Sequence, residues 1–286
     1  MREENKQMRI LSAIGIILVV AGHLGYSVFD VGGLFPYYSF HVFIFLFVSG
    51  YFYREEAEQH LLRYIGKKCK ALLLPYFIWN LVYGILAVLL HRTGFSIGGE
   101  LTLWNLFIEP FVSGHQFLYQ FPAWFVPALF LIEVLNVLGR KVLSFLHLKK
   151  EWLIFAVSLL LGIATVALAK GGHVWGYYKF PGRLLFMMPG FQLGRIYKEK
   201  LENRVNKISD GRYFFVVVGV QLLTTICCRG LAFSAVWVTG FANAAFIPYL
   251  TVVTGIAFWL RISDWMRSIC LSMFSFCASA ALLSLW

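Results

Sequence analysis

Two histidines stand inside stretches otherwise fit for lipid. "GIILVVAGHLGY" (15–26) carries His23, and "YSFHVFIFLFVSGYF" (38–52) carries His41. An imidazole titrates near neutral pH, so it is well suited to taking and returning a proton, and it is costly at membrane depth without a partner or a task. A helix starting near Arg9 advances about 21 Å over the fourteen residues to His23, into the outer half of a core about 30 Å thick. Fourteen residues are also close to whole turns, and so are the eleven from Ser12, so Arg9, Ser12 and His23 form a polar stripe. A histidine hydrogen-bonded to a carbonyl at a helix contact is the plainer reading of the same residue. Glu133, in the middle of a later apolar run, likewise needs a partner, either a basic group of a site or an interhelical hydrogen bond. Arg183, at the start of another run, reads as a contact for a polar substrate or as a side chain snorkelling to headgroups. Trp124 and the aromatic rim of Tyr37, Tyr38, Tyr119, Trp175, Tyr177 and Tyr178 suit sugar stacking and suit a membrane interface equally.

The elements that position these groups follow from composition. Of 286 residues, 59% are hydrophobic and 14% charged, with mean hydropathy +0.72. A soluble domain of this length could not hide so much apolar surface. Apolar runs of spanning length bounded by basic clusters imply an all-α, polytopic transmembrane helical bundle. Seven spans read as roughly 10–29, 37–53, 71–91, 123–139, 152–169, 183–197 and 213–228. The C-terminal third brings the expected total to nine or ten.

Loops assigned alternately to the two sides hold eighteen Lys and Arg against five, with Arg2, Lys149 and Arg229 among those counted. This places the N-terminus in the cytoplasm by the positive-inside rule. The net charge of +11 is thereby explained as topology with anionic lipid as its partner, and nucleic acid is excluded as one. The five cysteines show no metal-type spacing and no disulfide framework, and no metal is expected.

No repeat or flexible linker divides residues 1–286, which read as a single membrane domain. Within it, 54–70 is a cytoplasmic amphipathic segment, and 92–122 is an outer loop whose "LWNLFIEPFVSG" lies along the membrane surface. In 231–286, Asn243 and Pro248 interrupt one apolar stretch, and a last run, 268–286, ends at Trp286.

At this point the motifs become recognisable. "IGIILVVAGH" followed by "FHVFIFLFVSGYF" resembles the acyltransferase family 3 membrane proteins, among them the fucose 4-O-acetylase-like group. "KKCKALLLPYFIWN" (67–80), "PAWFVPALFLIE" (122–133) and "RLLFMMPGFQLGRI" (183–196) extend the resemblance over most of 9–196. Three positions depart from the family pattern. Ser12 stands where a basic residue precedes the histidine by eleven, Phe43 stands where proline is usual, and the last run carries no histidine. Arg9, one turn before Ser12, is the expected replacement for the missing cation.

The resemblance implies an integral membrane O-acyltransferase moving an acetyl or short acyl group from acyl-CoA to a hydroxyl of a cell-surface or lipid-linked carbohydrate. The setting it implies is the cell membrane of a bacterium. His23 would be the general base, His41 a second proton carrier, and Arg9 a third catalytic group. An arginine or hydroxyl would steady the tetrahedral oxyanion. The coenzyme is cytoplasmic while His23 lies nearer the outer face. Either the pantetheine arm threads inward past Arg9, Lys67, Lys68 and Arg195, or the first helix breaks around Gly22 and Gly25. Ser12, Trp124, Glu133 and Arg183 are the expected substrate contacts. Two rivals are a transporter or flippase for a glycan or lipid-linked substrate, and a catalytically inactive membrane partner.

Overall fold

A computed structural model describes residues 5–25, 30–95, 98–114, 116–148, 150–173, 176–228 and 246–283, with the side chains of 118, 119, 121, 177 and 270–283 excepted. Arg2, Lys149, Trp175, Arg229, Asn243 and Trp286 lie outside the described residues, as do the side chains of Tyr119 and Tyr177. The fold is all-helical, and among the described residues there is no strand beyond the single bridge of Gly98 with Phe117.

Eight helices of eleven residues or more are described. They are α1 (Lys6–His23), α2 (His41–Tyr51), α3 (Leu61–His91), α4 (Phe125–Phe145), α5 (Glu151–Lys170), α6 (Lys179–Ile196), α7 (Asp210–Cys227) and α8 (Ile247–Leu283). Five stretches are long and apolar enough to cross a membrane, namely α1, α3, α4 with its preceding turn, α5 and α7. Their outward faces are apolar: Ile78, Trp79 and Ile85 on α3, Leu160 on α5 and Phe215 on α7 are all exposed. Such faces suit hydrocarbon and not water, and the chain is a multi-pass membrane protein.

Among the described residues the C-terminal third holds one helix, α8, which does not divide. It runs through "RISDWMR" (261–267), where the sequence suggests a boundary, since no proline or glycine follows Gly255. Arg261 instead donates to the carbonyls of Val205 and Ile208 at 3.0 and 3.3 Å. The expected first span, 10–29, also ends early. Asn5 caps α1 by accepting the Met8 amide at 3.3 Å, and Gly25 turns the chain at φ 78°, a left-handed conformation that glycine adopts without strain. His23 is therefore the last residue of α1. Gly22 stays inside the helix, and the turn comes at Gly25.

α1 and α2 are antiparallel. Asn5 donates to the Tyr51 hydroxyl at 2.7 Å near one end, and the Tyr38 hydroxyl donates to the Gly22 carbonyl at 2.9 Å near the other. α2 and α6 run the same way, with Phe43 on Phe186 at 5.4 Å and Tyr51 on Tyr197 at 6.3 Å. Their backbones nearly touch. A side chain at Gly50 would strike the Phe191 carbonyl, and one at Gly194 the Phe47 carbonyl. Small residues at such crossings let helices in lipid approach closely enough for dispersion to hold them.

The segment 92–122 differs most from its expected course. Asn80 lies twelve residues beyond Lys68, about 18 Å along α3 and so well inside the hydrocarbon core. It donates to the carbonyls of Leu106 and Asn105 at 2.7 and 3.3 Å. Gln116 donates to the Asn80 side chain at 2.8 Å and the Tyr76 hydroxyl at 3.0 Å. The connection thus folds back to mid-depth instead of lying on the surface. Its irregular backbone is tolerable there because α3 supplies polar partners. α3 itself continues without a break from Leu61, taking in the end of the amphipathic segment. It passes through one wide turn, Cys69–Leu73, just before Pro75, whose missing N–H disrupts the regular ladder.

The close α2–α6 crossing predicts that Gly50→Val or Gly194→Val costs about 1–3 kcal/mol by overpacking. Gly66→Ala, whose new methyl would meet open space, should leave the thermal midpoint in detergent no lower.

Candidate active site

The His23 and His41 ends of α1 and α2 meet. Tyr37 and Tyr38 lie between them: Gly22 packs on the Tyr37 ring, and both rings stand edge-on to His41 at 6.1 and 5.7 Å. His41 is buried, 4% exposed, while His23 is open at the end of its helix. Tyr38, edge-on to His41, reaches with its hydroxyl the carbonyl of Gly22, the residue before His23. His41 Nδ1 is 2.8 Å from the Tyr37 carbonyl. A carbonyl only accepts, so Nδ1 carries the hydrogen and, in the neutral ring, Nε2 keeps its lone pair. The Tyr37 amide in turn donates to Asp30 at 3.1 Å. Asp30 lies outside the helices, and burial holds its carboxyl above the usual range, against the pull of that hydrogen bond. A chain of hydrogen bonds from Asp30 through Tyr37 therefore fixes the ring of His41.

Arg183 and Trp124 also come together. The guanidinium lies 4.2 Å from the Trp124 ring and donates to the Ser113 carbonyl at 3.0 Å. Both side chains are buried, 2% and 4% exposed. The Phe43–Phe186 contact puts the Arg183 end of α6 on the same half of the bundle as the His41 end of α2. Arginine over indole is a favourable cation–π pair, more so when desolvated. Proximity of this kind is invisible in the sequence because α4 and α6 are distant along it.

The structure does not bring Arg9 to His23. They occupy opposite ends of α1, about 21 Å apart by helical rise, and both turn outward beside exposed Ile16, Ile17 and Val20. The Ser12 hydroxyl donates back to the Met8 carbonyl at 3.0 Å, within its own helix. Glu133, 1% exposed, finds its partners in Lys68 at 2.8 Å and in the Ser49 hydroxyl, which donates to it. Of the four cations expected at coenzyme phosphates, Lys68 is thus committed to Glu133. Arg195 pairs with Glu55 at 2.7 Å, Glu151 at 3.1 Å and Glu199 at 2.7 Å. Arg9 and Lys67 stay exposed.

Sequence reasoning missed the densest polar cluster, at the basic end of the bundle. Arg140, 1% exposed, donates to both oxygens of Glu151 at 2.7 and 2.6 Å. It also donates to Asn136 at 2.9 Å and Gln192 at 2.7 Å. Arg140 and Arg195 both lie against Tyr53, at 5.2 and 5.0 Å from its ring, and the Tyr53 hydroxyl donates to buried Glu58 at 2.7 Å. Burial, then the Glu58 carboxylate, push the Tyr53 phenol above its ordinary range. Carboxylate oxygens of Glu55, Glu151 and Glu199 lie within 4.8 Å of one another, and Arg195 is the cation that holds them. The signal was present in the sequence as Asn136 four before Arg140 and Gln192 three before Arg195, spacings that share a helix face.

Arg140→Ala should therefore cost about 3–5 kcal/mol, because it leaves the clustered carboxylates of Glu55, Glu151 and Glu199 to Arg195 alone. Adding Glu151→Gln should return part of that loss in a detergent unfolding series, and Arg140→Lys should not rescue a two-pronged contact.

A protein-family model described as an acyltransferase domain matches residues 5–284. Comparison with curated proteins and with solved structures gave no match.

Proposed function

The chain belongs to acyltransferase family 3, and from that premise we propose that it is an O-acyltransferase of the cell membrane, with its basic end cytoplasmic. It would move an acetyl or short acyl group from acyl-CoA to a hydroxyl of a cell-surface or lipid-linked carbohydrate. The observation that supports this reading is the imidazole pair: an accessible His23 beside a buried His41 whose tautomer is held by the Tyr37 carbonyl.

In the proposed reaction His23 takes the proton of the acceptor hydroxyl as its oxygen attacks the thioester carbon. The carbon–sulfur bond then breaks, and the coenzyme thiolate leaves and receives the proton. His41, fixed and buried, steadies the imidazole beside it, and the two cannot both carry positive charge cheaply. Arg183, braced by Trp124, is the proposed cation toward the acceptor's oxygens. Arg9, exposed on the helix that carries His23, is the proposed contact for coenzyme phosphate.

Purified protein incubated with radiolabelled acetyl-CoA and a glycan-lipid extract should transfer label. His23→Ala should lower that transfer by roughly 10²–10⁴-fold, the usual weight of general-base catalysis, and His41→Ala should lower it measurably. Equal background in wild type and His23→Ala would refute the assignment, and substrate movement without acyl turnover would select a transporter.

A further inference from the structure

Between α3 and the start of α4 lies a cavity of about 510 Å³. Its walls are Leu72, Pro75, Trp79 and Tyr83 on one side and Ala123 and Val126 on the other. None of its lining residues belongs to α1, α2 or α6. Trp79 is 57% exposed and stands on the outward, lipid-facing side of α3 with Ile78 and Val82. The cavity therefore opens sideways into the hydrocarbon.

Its length and its end are both informative. From Ala71 to Tyr83 is about 18 Å along α3, close to the depth of a single leaflet in a core about 30 Å thick. Immediately before Ala71 come Lys67 and Lys70, both exposed, with Arg63 a turn earlier. Lys67 lies four residues before Ala71, on the helix face that continues into the groove. No acidic residue occurs between Leu61 and Leu73, and the neighbouring Lys68 is already neutralised by Glu133. An apolar trough one leaflet deep thus ends in the exposed positive charge of Lys67 and Lys70, which no acidic side chain among the described residues neutralises.

We infer that this groove holds a hydrocarbon chain of an anionic phospholipid from the leaflet at the basic end, with its phosphate on Lys67 and Lys70. This assigns Lys67 to lipid and not to coenzyme, and it stands independently of acyl transfer. The chain would fill the gap between α3 and the inward-folded connection, where Gln120 donates to the Tyr76 carbonyl at 3.3 Å. Lysines near a membrane surface favour anionic headgroups in this way.

The test uses the full chain in phosphatidylcholine vesicles carrying a trace of lipid with a photoreactive tail, either phosphatidylglycerol or phosphatidylcholine. The expected result is about thirtyfold more adduct from the anionic probe, as two surface lysines would give, on peptides containing 71–83 and 122–126. Lys67→Gln/Lys70→Gln should equalise the two probes, and Ala71→Trp should reduce adduct from both at that groove. The substituted positions are exposed, and the two probes compared on wild type need no substitution at all. Equal labelling of wild type by both probes would overturn the inference. So would adducts spread over other outward faces such as those of Trp152 and Phe215, or a lysine double variant that still discriminates.

Discussion

In hydrocarbon, no water is at hand to satisfy a polar group, so each one at depth must find its partner within the protein. That constraint organises the whole bundle. Arg140 meets Glu151 through two hydrogen bonds and meets two amides besides. Asn80 turns an outer connection inward because its amide must donate to something, and the carbonyls of Leu106 and Asn105 are what that connection offers. Glu133 draws Lys68 out of the basic loop and the Ser49 hydroxyl out of α2. Apart from Arg140 with Asn136 inside α4, each of these pairings joins two elements, so buried polar groups act as fasteners between helices that are otherwise held by dispersion alone.

The same rule explains the imidazoles. His41 begins α2, and its ring donates to the Tyr37 carbonyl, which also accepts the Phe40 amide at 3.1 Å. His23 ends α1, where Gly25 turns the chain. One histidine is thus anchored and buried and the other open, and the difference follows from which helix terminus each occupies. The close crossing of α2 with α6 then carries Arg183 to the same half of the molecule, leaving the Arg140–Glu151–Arg195 cluster at the opposite, basic end. The imidazoles and the structural ion pairs are thus kept at opposite ends of the bundle.

Much of this was legible beforehand, and the limits are instructive. Apolar runs bounded by lysine and arginine gave the helical bundle, because burial in lipid leaves a one-dimensional trace. The family motifs lay in the right order over 9–196, and the family model extends the match to 5–284. Glycine at 22 and 25 permits a break in the first helix without requiring one, so its end at His23 is not fixed by the sequence. Pairings across the fold left almost no trace. Arg140 read as one topological charge among eighteen, and Lys68 as a phosphate contact, because a cation's partner is chosen by tertiary packing. The inward course of 92–122 was hidden for the same reason. Its apolar, aromatic composition suits a surface and a mid-depth passage equally, and only Asn80 on another helix decides between them.

The most direct test of the imidazole pair is a cycle of acyl-transfer rates for wild type, His23→Ala, His41→Ala and the double variant. If the two act as one unit, the double variant is no slower than the worse single, as residues sharing one chemical step behave. Losses that multiply would mean two independent contributions, and the pair would have to be taken apart.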